Sequence, residues 1–96
     1  MNRHKAKQVR SAICKVLWEV WDPIGVNRNL KALGEYDSYA SGVIALLMRG
    51  ATDSEVIHHL RHVETVNMGC RASSTEHLMA VVRALRTVGL QPPGAQ

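Results

Sequence analysis

Apolar residues recur at helical spacing in four stretches of this chain, and each stretch has a recognisable start or end. The first runs from Lys5 to Trp21 and stops at Asp22-Pro23, because proline disfavours the helical conformation in the residue before it. The other three begin at Tyr36, after Thr52 and after Ser73. No stretch alternates between apolar and polar residues with the period of a strand. We therefore predict an all-α fold, a small bundle of four helices.

Short polar motifs and glycines mark the boundaries of the later helices. Thr52-Asp53-Ser54-Glu55 has the spacing of a capping box, and Ser73-Ser74-Thr75-Glu76 repeats that spacing. Asp37 is well placed to cap the second helix, while Gly50 and Gly69 end the second and third. With these boundaries, the core is predicted to contain Val9, Ile13, Val16, Val20, Tyr39, Val43, Leu46, Leu47, Leu60, Val63, Leu78, Val82 and Leu85.

The chain has 96 residues, which is the size of a single domain. We expect an ordered part over residues 5–89, a long loop over residues 22–36 and a flexible tail over residues 90–96. The longest apolar run, Val43 to Met48, is too short to span a membrane, and the basic start of the chain is not followed by a secretory signal. These features predict a soluble protein of the cytoplasm.

Charge is distributed unevenly along the chain, whose formal net charge is +4. Residues 1–18 contain five basic side chains and no acidic one, whereas residues 19–64 contain seven acidic side chains and four basic ones. A basic helix at one end makes a small nucleic-acid-binding regulator an alternative function, since lysine and arginine supply phosphate affinity. The acidic middle and the small number of aromatic residues for base stacking argue against it.

Three histidines lie close together on the third helix. His58 and His62 are four residues apart, which places two imidazoles on one helix face, as in many zinc sites. These two residues and His59 point away from the predicted core, and no third ligand or general-base glutamate accompanies them in a known motif. We expect a solvated polar face and no bound metal.

Catalytic residues are not indicated by the sequence. Neither Cys14 nor Cys70 has a histidine near it, both are expected to be reduced thiols, and there is no glycine-rich phosphate loop. Glu64 lies at the margin of an apolar stripe, so its burial requires a hydrogen-bond donor. We predict a structural hydrogen bond for Glu64, no enzymatic activity, and no cofactor or small-molecule substrate.

Trp18 is the most unusual candidate for the surface. On an ideal helix it projects about 180° from Val9, and Cys14 and Trp21 flank it as a second apolar ridge. Two interpretations are open: the loop from Pro23 to Leu33 covers this ridge, or the ridge is presented to a partner.

An ordered series of short motifs extends over residues 16–69. The series consists of Trp21-Asp22-Pro23-Ile24-Gly25-Val26, Glu35-Tyr36-Asp37-Ser38-Tyr39, Leu46-Leu47, Gly50-Ala51, Val63-Glu64 and Met68-Gly69. It resembles the signature of a bacterial family of small helical proteins of unknown function, in which a WDPIG turn precedes a D-E-Y-D-S-Y segment. Where that family often has an acid before Glu35, this chain has Gly34, which makes a dense acidic site less favoured.

Some members of that family resemble immunity proteins paired with contact-dependent growth-inhibition toxins. The resemblance implies a cytoplasmic inhibitor whose partner is a toxin domain. Because inhibitors of basic nucleases are usually acidic, the positive net charge implies either that the acidic middle forms the interface or that the toxin is not strongly basic. We predict a non-enzymatic protein-binding module whose contact residues are Trp18, Glu19, Asp22 and Glu35.

Overall fold

The described part of the chain, residues 3–25 and 34–88 of this computed structural model, contains four helices and no strand. The predicted all-α bundle is confirmed. The tail predicted over residues 90–96 and the centre of the loop predicted over residues 22–36 lie outside the described residues. The elements are α1 (Arg3–Val16) continued by a π-helical turn (Leu17–Trp21), a 3-10 turn (Asp37–Tyr39) leading into α2 (Ala40–Met48), α3 (Asp53–His62) continued by a second π-helical turn (Val63–Asn67), and α4 (Thr75–Arg86). None of these helices has the length and apolar character needed to cross a membrane.

One apolar core joins the four helices. Helix α1 contacts both α2 and α4, and α3 packs against α4 and α2. Each helix contributes fully buried side chains at helical spacing, for example Ile13, Val43, Leu60 and Leu85. Removing these apolar side chains from water is the main force that holds the helices together.

Most of the predicted core is confirmed, but the prediction includes some residues that are only half-buried and omits others that are buried. The predicted core residues that are only half-buried are Val16, Val20, Tyr39 and Leu46. The buried residues that the prediction omits are Leu17, Trp21, Tyr36, Ala40, Ala51, Val56, Ile57 and Val81.

The end of α1 explains part of this difference. In its π-helical turn the amide of Asp22 donates to the carbonyl of Leu17, five residues earlier, at 3.0 Å. Because each residue of such a turn advances the chain through a smaller rotation than in an α-helix, Leu17 and Trp21 face the core together. Of the two interpretations left open for the ridge, Trp21 therefore follows the one in which it is covered and not presented to a partner.

Polar caps start α3 and α4. The capping box predicted for α3 is confirmed, since the Thr52 hydroxyl accepts from the Glu55 amide at 3.2 Å and the Glu55 carboxylate accepts from the Thr52 amide at 2.9 Å. At α4 the capping residue is Ser74, whose hydroxyl accepts from the His77 amide at 3.1 Å. The predicted spacing places the cap at Ser73 and is one residue early, because Ser73 has a different partner.

Asp37 does not cap α2, so that prediction is also wrong. The chain enters α2 through the 3-10 turn, and neither the turn nor α2 has a side-chain cap. The guanidinium of Arg10 donates to the carbonyl of Asp37 at 3.1 Å and to the hydroxyl of Ser41 at 2.8 Å. Arg10 thereby connects the middle of α1 to the start of α2.

Candidate functional site

A buried polar cluster fixes the end of α1. Glu64 has no exposed surface, and its carboxylate accepts from the indole N–H of Trp21 at 2.9 Å. It also accepts from the amide of Ser73 at 2.9 Å and from the hydroxyl of Ser73 at 2.6 Å. The predicted structural hydrogen bond of Glu64 is confirmed. This cluster joins the two π-helical turns to the segment before α4.

A second hydrogen bond closes the chain after α1. The hydroxyl of Tyr36 donates to the carboxylate of Asp22 at 2.7 Å and accepts from the amide of Ile24 at 3.2 Å. Asp22 itself adopts a left-handed backbone with φ of 36°. Burial, reinforced by the hydrogen bond to Asp22, raises the pKa of Tyr36 well above its usual value. Tyr36 is therefore a neutral, fixed ring under the surface of this region.

Trp18 lies on the outer side of that ring. The ring centroids of Trp18 and Tyr36 are 6.1 Å apart and inclined by 51°, and the Trp18 side chain is half-buried. An open groove of about 600 Å³ runs beside it; its walls are formed by Ser11, Cys14, Lys15, Trp18, Glu19, Gly34 and Asp37. We call this the Trp18 groove.

The Cys14 thiol in the Trp18 groove is not prepared for catalysis. Partial burial raises its pKa, and the hydrogen bond to the carboxylate of Asp37 raises it further. Since the thiolate is the nucleophilic form, a raised pKa makes Cys14 a weak nucleophile at neutral pH.

The four predicted contact residues have different surroundings. Trp18 and Glu19 both line the groove, and Glu19 is exposed. Glu35 is exposed and follows Gly34, which also lines the groove. Asp22 is half-buried, and its carboxylate accepts the hydrogen bond from a buried tyrosine. Two of the four residues thus line the groove, Glu35 is exposed next to a lining residue, and Asp22 contributes to the structure through its bond to Tyr36.

A second groove, of about 630 Å³, lies between α2 and α3 and is lined by histidines 58, 59 and 62 together with Leu46, Arg49, Ser54 and Glu55. His59 is half-buried, and its ring lies so close to Gly42 that a Cβ there would be 3.3 Å from Nε2. The expectation that all three rings are solvated is therefore wrong for His59. Burial, and then the charges of His62 and His58, lower its pKa. Within the described residues, no group of three or more histidine, cysteine or acidic side chains is arranged to hold a metal ion.

Sequence reasoning identifies Trp18 and Glu64 but misses the hydrogen bond of Tyr36. The partner of its hydroxyl, Asp22, is fourteen residues earlier, and no spacing rule connects residues across such a loop. The available signal is that Asp22 and Tyr36 belong to the two principal motifs of the resemblance.

No protein-family model, curated protein or solved structure matches this chain.

Proposed function

We propose that this chain is a non-enzymatic protein-binding module, a cytoplasmic bacterial immunity protein that binds and neutralises the toxin domain of a contact-dependent growth-inhibition system. The observation that carries the proposal is the position of Trp18. Its indole is half-buried at the wall of an open groove, whereas the indole of Trp21, three residues later, is buried. The motif resemblance over residues 16–69 supplies the class of partner.

Trp18 is suited to anchor a partner because its position is fixed before binding. It packs against Tyr36, which is 1% exposed and hydrogen-bonded to Asp22 at 2.7 Å. An indole with a rigid base loses little conformational freedom when a partner covers it. Tryptophan is also enriched among the residues that dominate binding energy in protein interfaces.

Acidic side chains near the groove add orientation to this anchor. Glu19 lines the groove, and Glu35 is exposed and follows Gly34, which also lines it. Charges at the rim of an interface mainly steer the encounter and select among partners. We therefore assign affinity to Trp18 and specificity to the two glutamates.

The test uses the C-terminal toxin domain of the large secreted protein that the proposed function requires to be encoded next to this chain. We expect Trp18→Ala to weaken binding of that domain at least about thirtyfold, because truncating a central aromatic hot spot costs about 2 kcal/mol or more. Titration calorimetry measures the change, and co-expression of chain and domain in a growth assay measures neutralisation.

The matched control is Val66→Ala, an apolar truncation at a side chain that is 66% exposed and does not line the Trp18 groove. It should leave affinity unchanged. Circular dichroism has to show that both variants retain helix. Unchanged affinity in a folded Trp18→Ala variant would refute the assignment of this site, and absence of binding by the unaltered chain would refute the proposed function.

Binding of nucleic acid through α1 is the alternative, and the basic side chains of α1 favour it, since residues 1–18 contain five of them and no acid. A nucleic-acid complex would lose affinity steeply with salt as counterions are released. A partly apolar protein interface would be much less sensitive to salt.

A further inference from the structure

The outer face of α1 carries a line of polar residues that leads to Trp18. His4, Lys7, Ser11, Lys15 and Trp18 follow one another at intervals of three or four residues, which places them on one side of a helix. The first four are exposed, and Ser11 and Lys15 also line the Trp18 groove. The groove and the outer face of α1 are therefore one continuous surface.

Lys7 and Lys15 are the positive charges on this surface. Neither forms an ion pair within the described residues, whose salt bridges involve Arg49 and Arg86. Arg10, by contrast, is occupied by its bonds to Asp37 and Ser41. The two lysines are eight residues apart, so about 12 Å of helix separates them.

The start of α1 is also unfavourable for a helix considered alone. Arg3 and Lys5 occupy the first turn, where no acidic residue is present and where the helix dipole is positive. Negative groups are favoured at that end of a helix and positive groups at the other. A negatively charged group of a partner is therefore favoured at this end of α1.

We infer that the partner presents a carboxylate-rich protein surface to Lys7 and Lys15 while an apolar group covers Trp18, an inference that rests on the proposed function. Glu19, one helical turn after Lys15 and also lining the groove, then faces a basic group of the partner. Such an alternation of positive and negative charges along an interface fixes the orientation in which the partner docks.

The same surface is poorly arranged for nucleic acid. A base stacked on Trp18 would bring its phosphates beside Glu19 and Asp37, which line the groove, and like charges there repel. The Trp18 ring is also already in contact with Tyr36, with ring centroids 6.1 Å apart. The groove has a positive charge at Lys15 and negative charges at Glu19 and Asp37. A protein partner can place a carboxylate at the lysine and avoid the two acids, whereas a nucleic acid has a negative charge at every phosphate.

The test measures association of the same C-terminal toxin domain with the double variant Lys7→Glu/Lys15→Glu. We expect the association rate at low salt to fall about tenfold or more and the dissociation rate to change much less. The difference should shrink as salt rises toward 1 M, where the screening length is about 3 Å.

The matched control is Arg71→Glu/Arg83→Glu, which makes the same change in net charge at two exposed arginines that do not line the groove. Its association rate should fall clearly less. Equal rates for the two double variants would overturn this inference and leave the proposed function standing, provided that Trp18→Ala still weakens binding.

Two further outcomes separate the proposals. If the unaltered chain does not bind the domain, the proposed function fails and this inference fails with it. If the chain instead binds a twenty-base-pair DNA duplex at physiological salt and the lysine reversals abolish that binding, the surface is a nucleic-acid site and the inference is overturned.

Discussion

Trp18 and Trp21 lie three residues apart at the end of α1 and have opposite surroundings. Trp21 is 1% exposed, packs against Tyr36 with ring centroids 5.5 Å apart, and donates its indole N–H to Glu64. Trp18 packs against the outer side of Tyr36 and borders an open groove. Both tryptophans thus contact the same tyrosine ring, but Trp21 is buried and Trp18 is half-buried at the wall of the groove.

The burial of Trp21 depends on a hydrogen-bond acceptor for its indole N–H. A buried indole needs an acceptor for its N–H, and Glu64 provides one only where the two π-helical turns meet. The carbonyl of Trp21 is also used, because the His77 ring contacts it at 3.0 Å. Trp21 is therefore fixed by hydrogen bonds at both its side chain and its backbone.

The largest expected effect is the loss of stability when the buried member of the pair is truncated. Trp21→Ala should lower the free energy of unfolding by about 4 kcal/mol, since it leaves a cavity and removes a donor from a buried carboxylate. Trp18→Ala, which truncates a half-buried ring, should lower it by no more than about 2 kcal/mol. Urea unfolding followed by circular dichroism measures both changes.

A milder variant keeps this comparison measurable if Trp21→Ala does not fold. Trp21→Phe retains a buried ring and removes the N–H that Glu64 accepts, so it should cost about 1–3 kcal/mol. Trp18→Phe is its matched control and should cost less. Equal losses for the two phenylalanine variants would contradict the distinction between a structural and an exposed tryptophan.

A smaller loss should follow from changing the acceptor alone. Glu64→Gln keeps the size of the side chain but leaves one acceptor oxygen for two N–H donors, those of Trp21 and Ser73. One buried donor loses its partner, which should cost about 2 kcal/mol.

The control for that variant is Glu76→Gln, the same exchange at an exposed residue in the first turn of α4. It should cost less than about 0.5 kcal/mol, because only a weak interaction with the helix dipole is lost. If Glu64→Gln is as stable as Glu76→Gln in urea, the buried carboxylate does not stabilise the position of Trp21.

Local patterns explain which parts of the molecule could be predicted. The bundle follows from helical spacing and the cap of α3 from four adjacent residues, so both are contained in short stretches. The π-helical turns could not be predicted, because they accompany a contact between Trp21 and Glu64, which are 43 residues apart. In the candidate site, the sequence predicts that Trp18 points away from the main apolar stripe of α1. It does not predict that the Tyr36 ring packs against Trp18.

His59 is an intermediate case between the two tryptophans, and its smaller effect depends on pH. Its half-buried ring lies against Gly42, and burial together with the charges of His62 and His58 holds its pKa below the usual 6.5. The unfolded chain therefore binds a proton at His59 at a higher pH than the folded chain does. The contribution of neutral His59 is complete above that unfolded value and is lost as pH falls through the lower folded value.

Urea unfolding at pH 7.5 and pH 5.0 tests this difference, since the two values lie on either side of the usual histidine pKa of about 6.5. The unaltered chain should lose more stability on acidification than His59→Gln does, because glutamine stays neutral in both states. His58→Gln, at an exposed neighbour on α3, should keep most of the pH dependence. An identical pH dependence in the unaltered chain and in His59→Gln would mean that water reaches the His59 ring, so that His59 belongs with Trp18 on the surface and not with Trp21 in the core.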